Sequence, residues 1–363
     1  MAQNAVGRLF RSHNATTTLR QSVGSFTQQR SASGRALPHF RTADTIEVEE
    51  ALDRLREELF VPFGVGVRQR RLMFRQKYAE KLAQEPVTAS VGDEEVTLRP
   101  MNPHTLPTKN EAFEAIAHMK TYNDWRNLSP LLSGLKMSNR IVKPSRMEWI
   151  VRKAGEADAL GVLLGCARRA KITGMRLNDV DLVQRIFFEL HRKAQRAGFQ
   201  GVEASKALSF ARQFTEMMES PDHVEHDITR DPKRRPFVIG TLLELAAARA
   251  LSEFEGKDLK GEVRVYAQRL LACWKLGNFD REEKDWVAID RMLQENVPIL
   301  TGMKLALQVK GVSSDRTVSL SLKSHSDKLA TLVANQAKLA PADVQANPSL
   351  GLQQARILLE EQS

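Results

Sequence analysis

Lys136–Gly155 reads KMSNRIVKPSRMEWIVRKAG, and this stretch decides how the rest of the chain is organised. It sets six basic residues around a Lys143-Pro144-Ser145 corner, with Trp149 just beyond. A shift of 35 residues lays KMSNRIVKP on KITGMRLND, which begins at Lys171. The apolar positions follow the same shift. Ala115 and Ile116 fall on Ile150 and Val151, Trp125 on Leu160, and Leu128 on Leu163. Leu132 falls on Ala167, Leu135 on Ala170, Met137 on Ile172 and Val142 on Leu177. Each unit therefore holds two helices and a turn, the size of a helical-hairpin repeat. A lone hairpin cannot bury its apolar face, so successive hairpins must stack. The expected fold class is all-α, a helical-hairpin solenoid with an extended N-terminal segment.

A third, longer hairpin follows. NDVDLVQRIFFELHRKAQRAG opens on Asn178 or Asp179 as an N-cap. The 35-residue register fails there, because Gln195 and Gly198 land where apolar residues are required. The hairpin region spans 110–219. A charged, Pro-rich linker at 220–236 separates it from a second helical block at 237–310, with Trp274, Trp286 and Met292 as core candidates. The tail, 311–363, starts Ser-rich and then shows two modest helices around Asp327–Leu339 and Ser349–Glu361. It either docks on a partner or stays free.

Upstream, 36–109 begins with an amphipathic helix over 44–59, where Ile46, Ala51, Leu52, Leu55 and Leu59 return at helical spacing. A basic helix follows, carrying Arg68, Arg70, Arg71 and Arg75. Residues 86–109 are rich in Pro and Thr and read as an extended connector with a short strand at Glu95–Leu98. The segment 1–35 contains five arginines and no acid, and Val6, Leu9 and Phe10 share a face beside Arg8 and Arg11. An Arg-rich, Ser-rich, acid-free amphipathic start is the pattern of a mitochondrial transit peptide. Its cleavage is expected near Arg30–Ala36.

That address changes how the charge is read. The full chain carries +10, and loss of 1–35 leaves +5. The remaining excess is concentrated. Lys136, Arg140, Lys143, Arg146, Arg152, Lys153, Arg168, Arg169, Lys171 and Arg176 are opposed only by Glu148, Glu156 and Asp158, a net +7. With Arg68, Arg70, Arg71 and Arg75, these are the candidate RNA-phosphate contacts, since Lys and Arg supply the sequence-independent part of nucleic-acid affinity. Trp149 sits among Ile150 and Val151 and reads as core.

Chemistry is sparse. There is no phosphate-binding G-x-x-x-x-G-K-[ST], no G-x-S-x-G and no H-E-x-x-H. His223 and His226 in DHVEHD have the spacing to share a metal, but they lie in the charged linker and read as solvated. Cys166 and Cys273 stand far apart, too few for a zinc site or a disulfide framework. No apolar run reaches the ~18 residues of a membrane span. No cofactor, no metal and no catalytic residue is expected, and the protein is read as a non-enzyme.

The 35-residue period and the IVKPS corner resemble the pentatricopeptide repeat, whose hairpins end in a Lys-Pro-Asp-like corner. Lys143-Pro144-Ser145 matches that corner and Trp149 the family's aromatic position. The resemblance implies single-stranded RNA binding in an organelle. Ile150 stands where the family's base-reading helix residue would be, and isoleucine cannot hydrogen-bond a base edge. The whole chain also resembles fungal mitochondrial ribosomal proteins. The Arg-rich address, the basic RQRRLMFRQKYAEKLAQ helix, the LRPMNPHTLP connector and the helical body carry that likeness, with the large subunit favoured. It implies a structural component of the mitochondrial ribosome in the matrix, with rRNA and neighbouring ribosomal proteins as partners. The alternatives are a pentatricopeptide-type factor for a mitochondrial mRNA and a protein-only assembly scaffold for a respiratory complex.

Overall fold

A computed structural model of the protein describes residues 36–85 and 87–360. The 1–35 address lies outside the described residues. The body is almost wholly helical and is built of stacked hairpins, as the period requires. Lys109–His118 pairs with Leu128–Met137, Pro144–Glu156 with Leu160–Arg168, and Val180–Arg196 with Gly201–Met217. Pro144–Glu156 then packs on Val180–Arg196, which packs on Pro236–Glu253, which packs on Trp286–Gln308. One apolar core runs through all of them, from Val48 to Leu358.

The local chemistry explains the ends. Thr108 and Glu111 form a capping box at one helix start, and Thr121 and Asp124 form another. Pro144 and Pro236 occupy first-turn positions, where the missing N–H has no intrahelical partner anyway. Asp179 is the N-cap of the third hairpin, accepting from the N–H groups of Asp181 and Leu182. The first two units end in left-handed residues 35 positions apart, Asn139 (φ 58°) just past Leu128–Met137 and Gly174 (φ 81°) at the end of the short Ala170–Thr173 helix that follows Leu160–Arg168. Asn and Gly are the residue types that tolerate this conformation, so the turn itself repeats.

Six of the eight shifted apolar pairs are buried at both positions, from Ala115 with Ile150 to Leu135 with Ala170. The exceptions lie at the joint. Met137 is half-buried while Ile172 is 47% exposed. Val142 is half-buried while Leu177 is fully enclosed.

Several expectations need correction. The first amphipathic helix is Ile46–Leu55, continued by a wider π turn, Arg56–Phe60; Ile46 faces solvent while Leu52, Leu55 and Leu59 are buried. The basic helix is broken, because Arg75 is extended (ψ 116°) between Val67–Phe74 and Gln76–Tyr78. The connector is a β-hairpin. Val87–Val91 pairs antiparallel with Glu94–Leu98, from Val87 opposite Leu98 to Val91 opposite Glu94. Gly92 (φ 61°) makes the tight turn. Ala89, Val91 and Leu98 close a small second core over Leu37, Val61 and Met73.

At the other end, the Ser-rich start of the tail is helical. Arg316–Lys338 begins at Asp315, which accepts from the Val318 N–H, and its serines alternate with buried Val318, Leu322 and Ser326. His223 is not solvated. It is buried between Leu177, whose N–H donates to Nδ1 at 3.1 Å, and the Ala167 carbonyl, 3.0 Å from Nε2. Both ring nitrogens are satisfied by backbone, which makes it a core residue. Pro236–Glu253 and Trp286–Gln308 also cross closely. A Cβ on Gly302 would sit 2.6 Å from the Gly240 carbonyl oxygen, so both positions must stay bare for the two helices to meet.

Candidate nucleic-acid interface

The second helices of the first two hairpins, Leu128–Met137 and Leu160–Arg168, lie side by side and leave a groove of about 1100 Å³ along their outer flank. Pro130, Met137, Gly161, Val162 and Gly165 supply its less polar surface. The extended segment Ala36–Arg41 lies along it as a strap.

Two buried polar residues fix that strap and the turn after it. Asn127 accepts the Arg41 N–H at 2.8 Å and donates to the Arg41 carbonyl at 2.9 Å. Asp124 accepts from the N–H groups of Asp44 and Thr45 and from the Thr45 hydroxyl, at 2.8, 3.2 and 2.8 Å. It also accepts from Lys120 and Thr121 N–H, so it closes its own helix cap while holding Asp44 and Thr45. Burial pushes this carboxyl up, but the hydrogen bonds from Thr121, Thr45 and Lys120 together outweigh it and hold the pKa at about 2.

The groove gathers Lys136, Arg169 and Lys171 from the sequence-predicted set, and adds Arg41, Arg126, His39 and Tyr122. The Lys136 ammonium donates to the Lys171 carbonyl at 2.5 Å, a contact between residues one repeat apart. Lys171 meets Asp222 at 3.3 Å but stays largely solvated. Arg41, Arg126 and Arg169 are exposed and have no acidic partner among the described residues. Their charge is available to an anion.

The other predicted residues lie elsewhere. Arg68, Arg71 and Arg75 are exposed on the Val67–Phe74 helix and its end. Arg70 is occupied inside the fold, donating to the carbonyls of Pro62 and Phe63 and lying 4.7 Å from the Phe63 ring. Arg140 donates to the Pro107 carbonyl at 2.8 Å. Lys143 is the exposed N-cap of the Pro144–Glu156 helix, and Arg146 covers the Phe113 ring at 5.2 Å. Arg152 and Lys153 both face Glu156, at 3.9 and 2.7 Å. Arg168 donates to Gln213 at 2.7 Å, and Arg176 is exposed. Trp149 is half-buried, edge-on to Phe113 with ring centroids 6.1 Å apart. Arg41 lies upstream of the first helix, and Arg126 and Tyr122 precede the Lys136–Arg176 window. Only the fold brings them together.

Other reactive groups do not converge. Burial pushes the Cys166 thiol up to about 12, so it stays protonated at neutral pH. A second cavity of about 550 Å³ contains Glu295, which burial pushes up to about 7 while Asn278 donates to it at 3.1 Å. Among the described residues no Ser, Cys, Lys or His lines that cavity. Among the described residues no group of three His, Cys, Asp or Glu is placed to hold a metal, and no helix is long and apolar enough to cross a membrane.

Comparison with known proteins gives this geometry a context. The family model described as mitochondrial ribosomal protein mS27 matches residues 25–357. The small ribosomal subunit protein mS27 of Neurospora crassa is 31% identical over 256 residues, covering 65% of this chain. The chain spans 64% of that relative's length. The relative is named for the small subunit, against the large-subunit expectation. The residues behind that expectation, an Arg-rich address and a basic helix, would serve either subunit and carry no information about which.

Proposed function

Because the chain belongs to the mitochondrial ribosomal protein mS27 family, we propose that it is a structural component of the small subunit of the mitochondrial ribosome, working in the matrix. It binds rRNA backbone and neighbouring ribosomal proteins. The observation that carries the RNA part is the groove. Arg41, Arg126 and Arg169 reach it from three separate segments without an acid to neutralise them, beside Lys136 and Lys171. Phosphates there would release counterions and gain charge-assisted hydrogen bonds. The exposed Arg68, Arg71 and Arg75 form a second, separate phosphate contact. Arg152 and Lys153 are left out of the contact, since they do not line the groove and both face Glu156.

The test is sedimentation of tagged protein through a sucrose gradient of mitochondrial lysate after puromycin and moderate salt. Co-migration with small-subunit rRNA is expected. Recovery in the soluble fraction, or with large-subunit rRNA alone, would overturn the proposal. A second reading, a factor bound to one mitochondrial transcript, is favoured by the 35-residue spacing of the Asn139 and Gly174 turns. Crosslinks confined to one mRNA would select it.

A further inference from the structure

We infer that the groove contains a stacking subsite for one unpaired nucleobase, with Tyr122 as its platform and the surrounding cations as its phosphate contacts. The inference rests on the phosphate reading above and adds the class of RNA, a single-stranded segment rather than a duplex face.

A lone exposed aromatic is ordinary. Tyr122 is distinguished by its company. It is 59% exposed and lines the same groove as Arg41, Arg126, Lys136 and Arg169. Its position is set by the fold, because Thr121 caps the turn it starts and the Arg126 N–H closes on its carbonyl at 3.1 Å. An aromatic side chain and cations lining one groove are the combination that single-stranded nucleic acid uses, with bases on the ring and phosphates on the charges. In a duplex the bases are paired and stacked inside, so their faces are unavailable to a side chain. The groove, at about 1100 Å³, is of the size of a small-ligand cleft and suits a base with its flanking phosphates better than a helical face.

The groove's surface supports the same reading. Gly165 lines it, and a Cβ built there would meet nothing within 4 Å. The space above this helix is open, and a side chain at that position would stand in it.

The experiment uses the full chain with a short fluorescein-labelled oligouridylate and an RNA duplex of equal length, read by anisotropy across a salt series. Tyr122→Ala should weaken the single strand about 5- to 150-fold and leave the slope of log K against log salt unchanged. Tyr122→Phe should keep the affinity, since the ring and not the hydroxyl makes the stack. Gly165→Leu should block the single strand while keeping every cation, and its melting temperature should hold or rise, because leucine is the better helix former. Equal binding of strand and duplex, with Tyr122→Ala unchanged, would overturn the stacking subsite and leave the phosphate reading standing. No binding of either RNA by the unaltered chain would remove both.

Discussion

Asp124 takes five donors onto one carboxylate, from Asp44 and Thr45 on one side and its own helix cap on the other. Its pKa falls from an ordinary 3.8 to about 2, which corresponds to roughly 2 kcal/mol of stability. A depressed carboxyl contributes fully above its unfolded value and loses that contribution as pH falls through the folded one. The intact protein should therefore lose stability between about pH 4 and pH 2 through this residue. Asp124→Asn should cost about 2 kcal/mol at pH 7, because an amide nitrogen would face a donor, and should flatten that part of the acid profile. Urea unfolding at a series of pH values measures both, and an Asn variant as stable as its parent at pH 7 would refute the anchor. None of this is legible in DW at 124–125. An acid followed by a tryptophan gives no sign that its donors arrive from residues 44 and 45, about eighty positions earlier. His223 makes the same point in reverse, since a charged sequence neighbourhood hid a backbone-satisfied core residue.

At the scale of elements, the period was readable because burial enforces it. A hairpin that stacks on its neighbours repeats its apolar positions, and the 35-residue shift found six pairs that are buried. The β-hairpin was half-read, since VTASV and EEVTL alternate clearly only once they are paired. The C-terminal helix was readable as a helix but not as docked. Leu350–Glu360 buries Leu352, Ala355 and Leu358, and Asp290 caps it by accepting from the Leu352 N–H at 3.1 Å. Gln354 reaches a fully buried pair. Its Oε1 lies 3.0 Å from His191 Nε2, while His191 Nδ1 contacts the Glu244 carboxylate at 2.8 Å. Burial pushes the Glu244 carboxyl up, against the pull of His191. Removing the last helix would leave an ionisable pair opened on one side. Leu352→Ala should cost about 2–5 kcal/mol, and Gln354→Leu about 1–3 kcal/mol by leaving a buried N–H without an acceptor. Thermal melting and limited proteolysis check this; an unchanged melting temperature in both variants would mean the helix does not pack on the body in solution.

For the whole molecule, the lesson concerns charge. A run of ten basic residues in sequence looks like one surface, yet successive helical positions turn about a third of a revolution, and the run is spread over four helices and the turns between them. The fold divides it. Lys136, Arg169 and Lys171 enter the groove, Arg140 and Arg146 cover neighbours, and Arg152 and Lys153 meet Glu156. The missing part of the groove came from outside the run, through Arg41 and Arg126.

That division predicts how salt should act on the intact protein. Each cation that touches phosphate contributes roughly one unit to the slope of log K against log salt. Arg126→Ala and Arg169→Ala should each lower the slope by about one and weaken every RNA alike, because phosphate contacts carry no sequence information. The double change Arg152→Ala with Lys153→Ala removes as much formal charge from the same stretch of sequence. It should leave the slope where it was, since those two do not line the groove and share Glu156 as their partner. Anisotropy titrations at several salt concentrations decide the matter. Equal losses from the two sets of substitutions would mean that net charge governs binding, and that the groove has no special part in it.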